Sequence, residues 1–355
     1  MGQDPTVFVL GAGASSAYGF PVGRGLRDWI VDRSDSVIER QWMKPPWKDQ
    51  NDREAMLNRA RRLSAQLFQS PAEVTIDAFL DTPRGHEFEE EGKRAIAAAL
   101  LPAEVLALRR MMRLSIDPSL RRSDVLPLSD GWYGWLNTRL KPFLGEREPP
   151  AVEFVTFNYD RSLEFSILFA VRAMFSAELA WTEIFPRLVR VHHVYGELGL
   201  PVGATFELAR SHERPNVTGE ALVTAASTLR LMSEARSSHD HQPVQQAREA
   251  LKRARRVAFC GFGFDALNLR ILGISPDFAA TAGKREVRGT CLNKTDAETA
   301  EVADALGITQ RISSIDQLPQ HLPQVECHQF VRSFESRWFV PSKPADPDHP
   351  TEARK

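Results

Sequence analysis

Cysteine is scarce in this chain. Three occur among 355 residues, Cys260, Cys291 and Cys327, and no two form a CxxC pair. That leaves too few thiols for a disulfide framework and excludes a four-cysteine zinc ribbon, and no metal ligand is expected. Long apolar runs are missing as well: none approaches the roughly 20 residues that a membrane-spanning helix needs. Net charge is almost absent, with 45 basic against 46 acidic residues and a formal balance of -1. No global field therefore draws the chain to nucleic acid or to an anionic membrane, and direct nucleic-acid binding is not expected. The local exception is a basic cluster at Arg253, Arg255 and Arg256. The chain runs from Met1 almost directly into a strand-like segment, so no signal peptide is expected, and the setting is read as cytoplasmic.

What is present is an alternation. Thr6 to Leu10 is a short apolar run closed by Gly11, which reads as a buried strand. Ser15 to Val31 reads as the loop and helix after it. Strand signals return in "VEFVTF" from Val152, "LVRVHHVY", "RVAFCGF" and "EVRGTCL", with helix-forming stretches between them at Asp160 to Met174 and Val244 to Arg255. Strands alternating with helices predict an α/β fold: a Rossmann-like parallel sheet with helices on both faces. Residues 36–150 differ. They carry helical spacing (Met56, Leu57, Ala60, Leu63, Leu67) and an alanine-rich stretch from Arg94 to Met112, and read as a large helical insertion. The expected organisation is a core of residues 1–35 plus 151–340, the insertion 36–150, and a proline-rich, charged tail 341–355 expected to be disordered. Residues 203–243 are polar and read as a loop-rich second insertion.

The opening turn, "VFVLGAGASSAYGFPVG", invites a phosphate-binding reading. Gly11 and Gly13 let backbone turn tightly and approach a pyrophosphate, and the helix that follows offers free N–H groups. Yet Ser16 stands where the dinucleotide fingerprint has its third glycine, and no acidic residue closes a short strand about 20 residues on. A hydride-transfer enzyme is disfavoured; a plain strand-to-helix turn stays open. "TFNYD", residues 156–160, "CGFGFDALN", residues 260–268, and "TCLN", residues 290–293, each follow a strand as well. Each alone could be turn punctuation, since Gly, Asn and Asp are good turn formers.

Taken in order, these motifs resemble those of the sirtuin-like superfamily, in its prokaryotic antiphage-defence branch that lacks the zinc ribbon. "GAGASSAYGFP" is similar to the family's GAGxS turn followed by G-x-P, with Gly, Pro and Arg in register at Gly19, Pro21 and Arg24. "TFNYD" is similar to TQNID. "TIDAFL", residues 75–80, resembles a segment of the defence proteins. The resemblance implies an NAD+-consuming enzyme, with NAD+ as substrate and no resident cofactor. It implies contacts to NAD+ from Gly11, Ala12, Gly13, Ser15, Pro21, Arg24, Gly261, Gly263, Phe264 and Asn293. Phe264 departs from the family, which has serine there. It also implies that Asn158 serves the reaction at the nicotinamide ribose and that Asp160 supports it.

The catalytic base is where the match is weakest. The family places a histidine directly before a glycine; here Tyr195 precedes Gly196, and His193 lies two residues earlier. Strand alternation would put His193 and Tyr195 on one face and His192 on the other. An imidazole near 6.5 suits proton transfer better than a phenol near 10, so His193 is the expected base and Tyr195 a ribose contact; a structural histidine is the alternative. The resulting expectation is hydrolysis of NAD+ to nicotinamide and ADP-ribose by the toxic effector of a defence system. An oligomer is expected, or a trigger-sensing partner such as a HerA-type ATPase, a short Argonaute or an inosine-triphosphate-pyrophosphatase-like subunit. Protein deacylation, and NAD or ADP-ribose sensing without turnover, are the competing readings.

Overall fold

The computed structural model describes residues 6–41, 50–143, 152–174, 189–211, 217–237, 242–280, 285–334 and 338. The tail 341–355 lies outside the described residues. Five parallel strands form one sheet: β1 (Thr6–Leu10), β2 (Val152–Thr156), β3 (Arg190–His193), β4 (Arg256–Cys260) and β5 (Glu286–Gly289), in the order β3-β2-β1-β4-β5. This is the Rossmann-like α/β architecture expected from the alternation.

β1 lies at the centre because it is apolar on both faces. Val7, Phe8, Val9 and Leu10 are all at most 1% exposed. Each such side chain contributes roughly 1.5–3 kcal/mol of burial. β1 pairs in parallel with β2 on one side and β4 on the other, Leu10 lying opposite both Thr156 and Cys260. The chain leaves β1 for β2 and β3, then returns to the other side of β1 for β4 and β5. That reversal is a topological switch point at the carboxyl ends of β1 and β4, the place where open α/β sheets take ligands.

The helices α1 (Gly13–Ser16), α2 (Gly23–Gln41), α3 (Gln50–Gln69), α4 (Ile76–Leu80), α5 (Glu89–Met111) and α6 (Gly131–Leu140) fill the span between β1 and β2, and α7 (Ser162–Met174) follows β2. α2 runs across the boundary placed at residue 35. The insertion also shares one continuous apolar core with the sheet: Leu63, Leu67, Ile76, Leu101 and Leu136 are buried in the same cluster as β1. Polar ties reinforce this. The Trp132 indole donates to the Ala14 carbonyl at 2.7 Å, and the Tyr18 hydroxyl donates to the Asp130 carbonyl at 3.0 Å.

The deepest tie is ionic. Arg161, just before α7, donates to both carboxylate oxygens of Glu104 in α5, with Nη2 2.7 Å from Oε2, and Glu104 is fully buried. The Arg161 backbone N–H donates to Glu104 as well, at 3.0 Å. The insertion therefore fixes the backbone one residue beyond Asp160.

The described residues within 203–243 are mostly helical, not loop-rich. Val202–Ser211, Gly219–Ala226 and Met232–Ser237 are helices, and Phe206, Ala209, Leu222 and Ala225 bury one face of the first two. These helices are short, 6 to 10 residues, so each carries too few turns for its helical period to stand out in the sequence. In the basic cluster, Arg253 reaches back to the buried Glu153 of β2 at 2.9 Å, and Glu153 also meets His192 at 3.1 Å. Arg253 thus serves to offset a buried carboxylate.

Candidate functional site

Two glycine turns meet at the switch point, backbone against backbone. The Gly11 N–H donates to the Cys260 carbonyl at 3.1 Å, and the Gly13 N–H to the Gly261 carbonyl at 3.0 Å. A Cβ on Gly11 would lie 2.6 Å from the Gly261 oxygen; one on Gly261, at φ +58°, would lie 2.2 Å from the Ala14 nitrogen. These glycines are required first by the contact between the turns. Close approach to a ligand, the reason expected from sequence, does not explain the N–H groups of Gly11 and Gly13, which are already bonded. The N–H groups that make no hydrogen bond among the described residues include those of Ala12 and Gly263, and Gly263 has open space around its Cα.

Asn158 and Asp160 converge on the first turn. The Ser15 hydroxyl, 1% exposed, donates to Asp160 Oδ2 at 3.0 Å and lies 3.4 Å from Asn158 Nδ2. Asp160 Oδ1 accepts from the Ser162 N–H at 3.1 Å and from the Ser162 hydroxyl, which in turn meets the Tyr133 hydroxyl of α6 at 2.6 Å. A buried polar chain thus runs Asn158, Ser15, Asp160, Ser162, Tyr133. Burial pushes the Asp160 carboxyl up to about 6, against the lowering effect of the Ser162 and Ser15 hydrogen bonds. Asn158 is 8% exposed, and its Oδ1 has no partner among the described residues. A buried acceptor left unpaired costs about 1–3 kcal/mol. Its retention near the switch point is an exception that asks for a functional explanation.

The opening segment and "TFNYD" both meet "TIDAFL". Gly23, at φ +36°, has Thr75 Cγ2 as its nearest neighbour, 3.9 Å from a would-be Cβ. Thr75 caps α4, accepting from the Ala78 N–H. In that helix's first turn Asp77 accepts from the Tyr159 hydroxyl at 2.7 Å. Burial raises the Asp77 carboxyl, which the Tyr159 bond partly offsets. "GFPVG", "TIDAFL" and "TFNYD" are therefore one assembly. Arg24 stands apart from it: its side chain is 68% exposed and meets Asp28 at 3.7 Å. Pro21 lies half-buried in the loop before α2.

Phe264 is placed differently from its expected role. Its backbone is left-handed, at φ +58°, and its ring packs 5.3 Å from both Phe259 and Phe262 and against Gly289. The side chain is core; only its backbone faces the turn. Asn293 is exposed after β5 at φ +63°, a conformation asparagine tolerates well, so turn geometry accounts for it.

The pairing of His193 with Tyr195 is overturned. β3 ends at His193, and the chain then turns: the Gly196 N–H donates to the His193 carbonyl at 3.2 Å, with Gly196 at φ +71°. Strand alternation stops before it can align the two side chains. The Tyr195 hydroxyl donates to Asn268 Oδ1 at 2.5 Å, beside the second glycine turn, and its ring meets Phe157 edge-on at 5.3 Å. His193 instead turns toward α7. Its Nδ1 lies 3.0 Å from the Asn158 carbonyl and its Nε2 2.5 Å from Glu164 Oε1, with Glu197 at 3.7 Å. Burial works against the charged ring, but Glu164, Glu197 and the Asn158 carbonyl outweigh it and hold His193 up to about 9. A ring protonated near neutrality is not a general base there. The near-neutral imidazole assumed from sequence fails because Glu164 and Glu197 could not be placed without the fold.

Tyr133, Ser162, Glu164, Glu197 and Asn268 were missed by sequence reasoning. Glu164 alone carried a signal, four residues beyond Asp160 in the first turn of a helix. Tyr133 sits in the insertion and carried none.

No protein-family model matches the chain, and no curated protein matches it.

Proposed function

We propose that the chain binds NAD+ at the carboxyl ends of β1, β2 and β4 and hydrolyses it to nicotinamide and ADP-ribose. The observation that carries this reading is the unpaired, buried Oδ1 of Asn158, held beside two glycine turns at the sheet's reversal point. The Ala12 and Gly263 N–H groups are the donors left for the pyrophosphate. Asn158 Oδ1 accepts a hydrogen bond from a ribose hydroxyl or from the attacking water. Asp160, ionised above about pH 6, holds Ser15 and through it Asn158.

The chemistry asks little of a base. The bond between ribose C1′ and the nicotinamide nitrogen breaks, and its electron pair neutralises the pyridinium, so the leaving group departs uncharged. Water adds to the oxocarbenium-like carbon and loses its proton to solvent, giving ADP-ribose. The protein's share is to orient the ribose and water and to stabilise the developing positive charge. Asp160 and its hydroxyl partners supply negative potential for that.

The resemblance of the turn motifs to the sirtuin-like defence branch supports the same reading, and extends it to a toxic effector restrained by self-association or by a trigger-sensing partner. A second reading, binding of NAD+ or ADP-ribose without turnover, is favoured by one observation: His193 and the Tyr195 hydroxyl are both engaged elsewhere. Incubating the purified chain with NAD+, with chromatography for nicotinamide and calorimetry for ADP-ribose binding, separates the two. Nicotinamide release abolished by Asn158→Ala supports hydrolysis; binding without release supports sensing; neither, with or without self-association, removes both.

A further inference from the structure

We infer that Glu164, His193 and Glu197 form a site for a divalent cation of the first transition row, of the Zn2+ or Mn2+ kind. The three groups come from separate segments: the first turn of α7, the end of β3, and the turn that follows it. Their ligand atoms all lie within 4.8 Å of one another, and they line a cavity of about 220 Å³ together with Arg161, Val191 and Phe165. That volume leaves room for the water or anion that a one-nitrogen, two-carboxylate set needs to complete its coordination.

The histidine is oriented as a ligand. Nδ1 donates to the Asn158 carbonyl at 3.0 Å, which leaves Nε2 directed at the two carboxylates. Metal-bound histidines commonly anchor their second nitrogen in this way. This hydrogen bond lies outside the cluster itself, on the backbone of a different motif.

Charge points the same way. Arg161 faces the cavity, but Glu104 takes its guanidinium in a buried pair, with further bonds to Thr205 and the Leu200 carbonyl, so the two cancel locally. Glu164 and Glu197 then present two negative charges against one imidazole. A single proton on His193 offsets half of that; a divalent ion offsets all of it. The ion would displace that proton, and Nε2 and Glu164 Oε1, now 2.5 Å apart, would open to the separation of about 3–3.5 Å that ligands 2.0–2.2 Å from a common ion require. The inference stands apart from the NAD+ reading, since the site lies toward α7 and touches Asn158 only through its carbonyl.

The test is calorimetric titration of the chelator-treated full chain with ZnCl2, MnCl2 and MgCl2 separately, with thermal unfolding alongside. Saturable binding of about one Zn2+ or Mn2+ per chain is expected. Proton release should be measurable by comparing buffers of different ionisation heat, and the melting temperature should rise by several degrees at a hundredfold excess over Kd. Glu197→Gln, at a half-exposed position and isosteric, should fold normally and weaken binding at least about tenfold; Glu164→Gln should weaken it further. No saturable heat with either transition ion, or equal affinity in wild type and a folded Glu197→Gln, overturns the proposal.

Discussion

The Gly13 N–H donates to the carbonyl of Gly261, 3.0 Å away, so the turn after β1 and the turn after β4 are locked to each other before any ligand arrives. This makes the glycines unequal. Gly261→Ala puts a Cβ 2.2 Å from the Ala14 nitrogen at a left-handed position, and neither backbone can yield without parting the turns. A loss of several kcal/mol of stability is expected, since strain and a lost contact add. Gly263→Ala meets nothing within 4 Å and should unfold like wild type. If Gly263 serves the ligand, that variant loses NAD+ affinity with its melting curve intact. Urea unfolding of both and NAD+ titration of Gly263→Ala check the pair; equal stability in the two variants would remove the argument.

Asn158→Ala separates function from fold. Its Oδ1 has no partner to lose, and its Nδ2 contact to Ser15 is long at 3.4 Å. Removing an unsatisfied buried acceptor relieves a cost of about 1–3 kcal/mol, which opposes the small cavity left behind. The melting temperature should move little, while nicotinamide release should fall by about a hundredfold or more, the scale of losing one preorganised polar contact to the transition state. A folded Asn158→Ala with full cleavage defeats the catalytic role given to it.

The fold was largely legible because β1, β2 and β4 are short, mostly apolar segments that end in glycine or in Asn and Asp turns, signals local to a few residues. The meeting of Asn158, Asp160 and Ser15 followed from parallel register, since strand ends aligned in one sheet bring their turns together. The environment of His193 was not legible. It depends on a strand that stops two residues before Tyr195, where alternation required it to continue, and on Glu164, whose distance to His193 is set by the packing of α7 on the sheet. The role of residues 36–150 was hidden for a related reason. Glu104 and Tyr133 act through partners 57 and 29 residues away, and no local pattern encodes such pairs.

Glu104 and Arg161 form the strongest polar link between the insertion and the site, and their energetics should be asymmetric. Glu104→Ala leaves a guanidinium that is 5% exposed without its carboxylate. A cost of about 3–5 kcal/mol is expected, as for breaking a buried pair from one side. Replacing both, as Glu104→Met with Arg161→Met, removes both desolvation penalties and should restore most of that loss. Chemical denaturation of the two singles and the double gives the coupling directly. A double variant as unstable as the sum of the singles would mean the pair fills space and carries no mutual dependence.

Asp160 sets a pH signature. Its carboxyl is raised to about 6 in the fold by burial, against about 3.9 in an unfolded chain. Between those values the folded protein keeps a proton that the unfolded chain has released. Stability from this group is therefore fully present below about pH 4 and is lost as pH rises through about 6, by roughly 3 kcal/mol for a two-unit gap. Asp160→Asn does not titrate. The stability of wild type relative to this variant should thus fall as pH is raised from about 4 to 7, whatever other groups contribute to both. Cleavage should run opposite, because ionised Asp160 is the form that supplies negative potential at the ribose: activity rising with a midpoint near pH 6 and absent from Asp160→Asn. Urea unfolding at four pH values, with nicotinamide release over the same range, gives both curves. A stability difference that stays flat with pH would mean Asp160 is already ionised at pH 4 inside the fold, and the electrostatic role built on its burial would go with it.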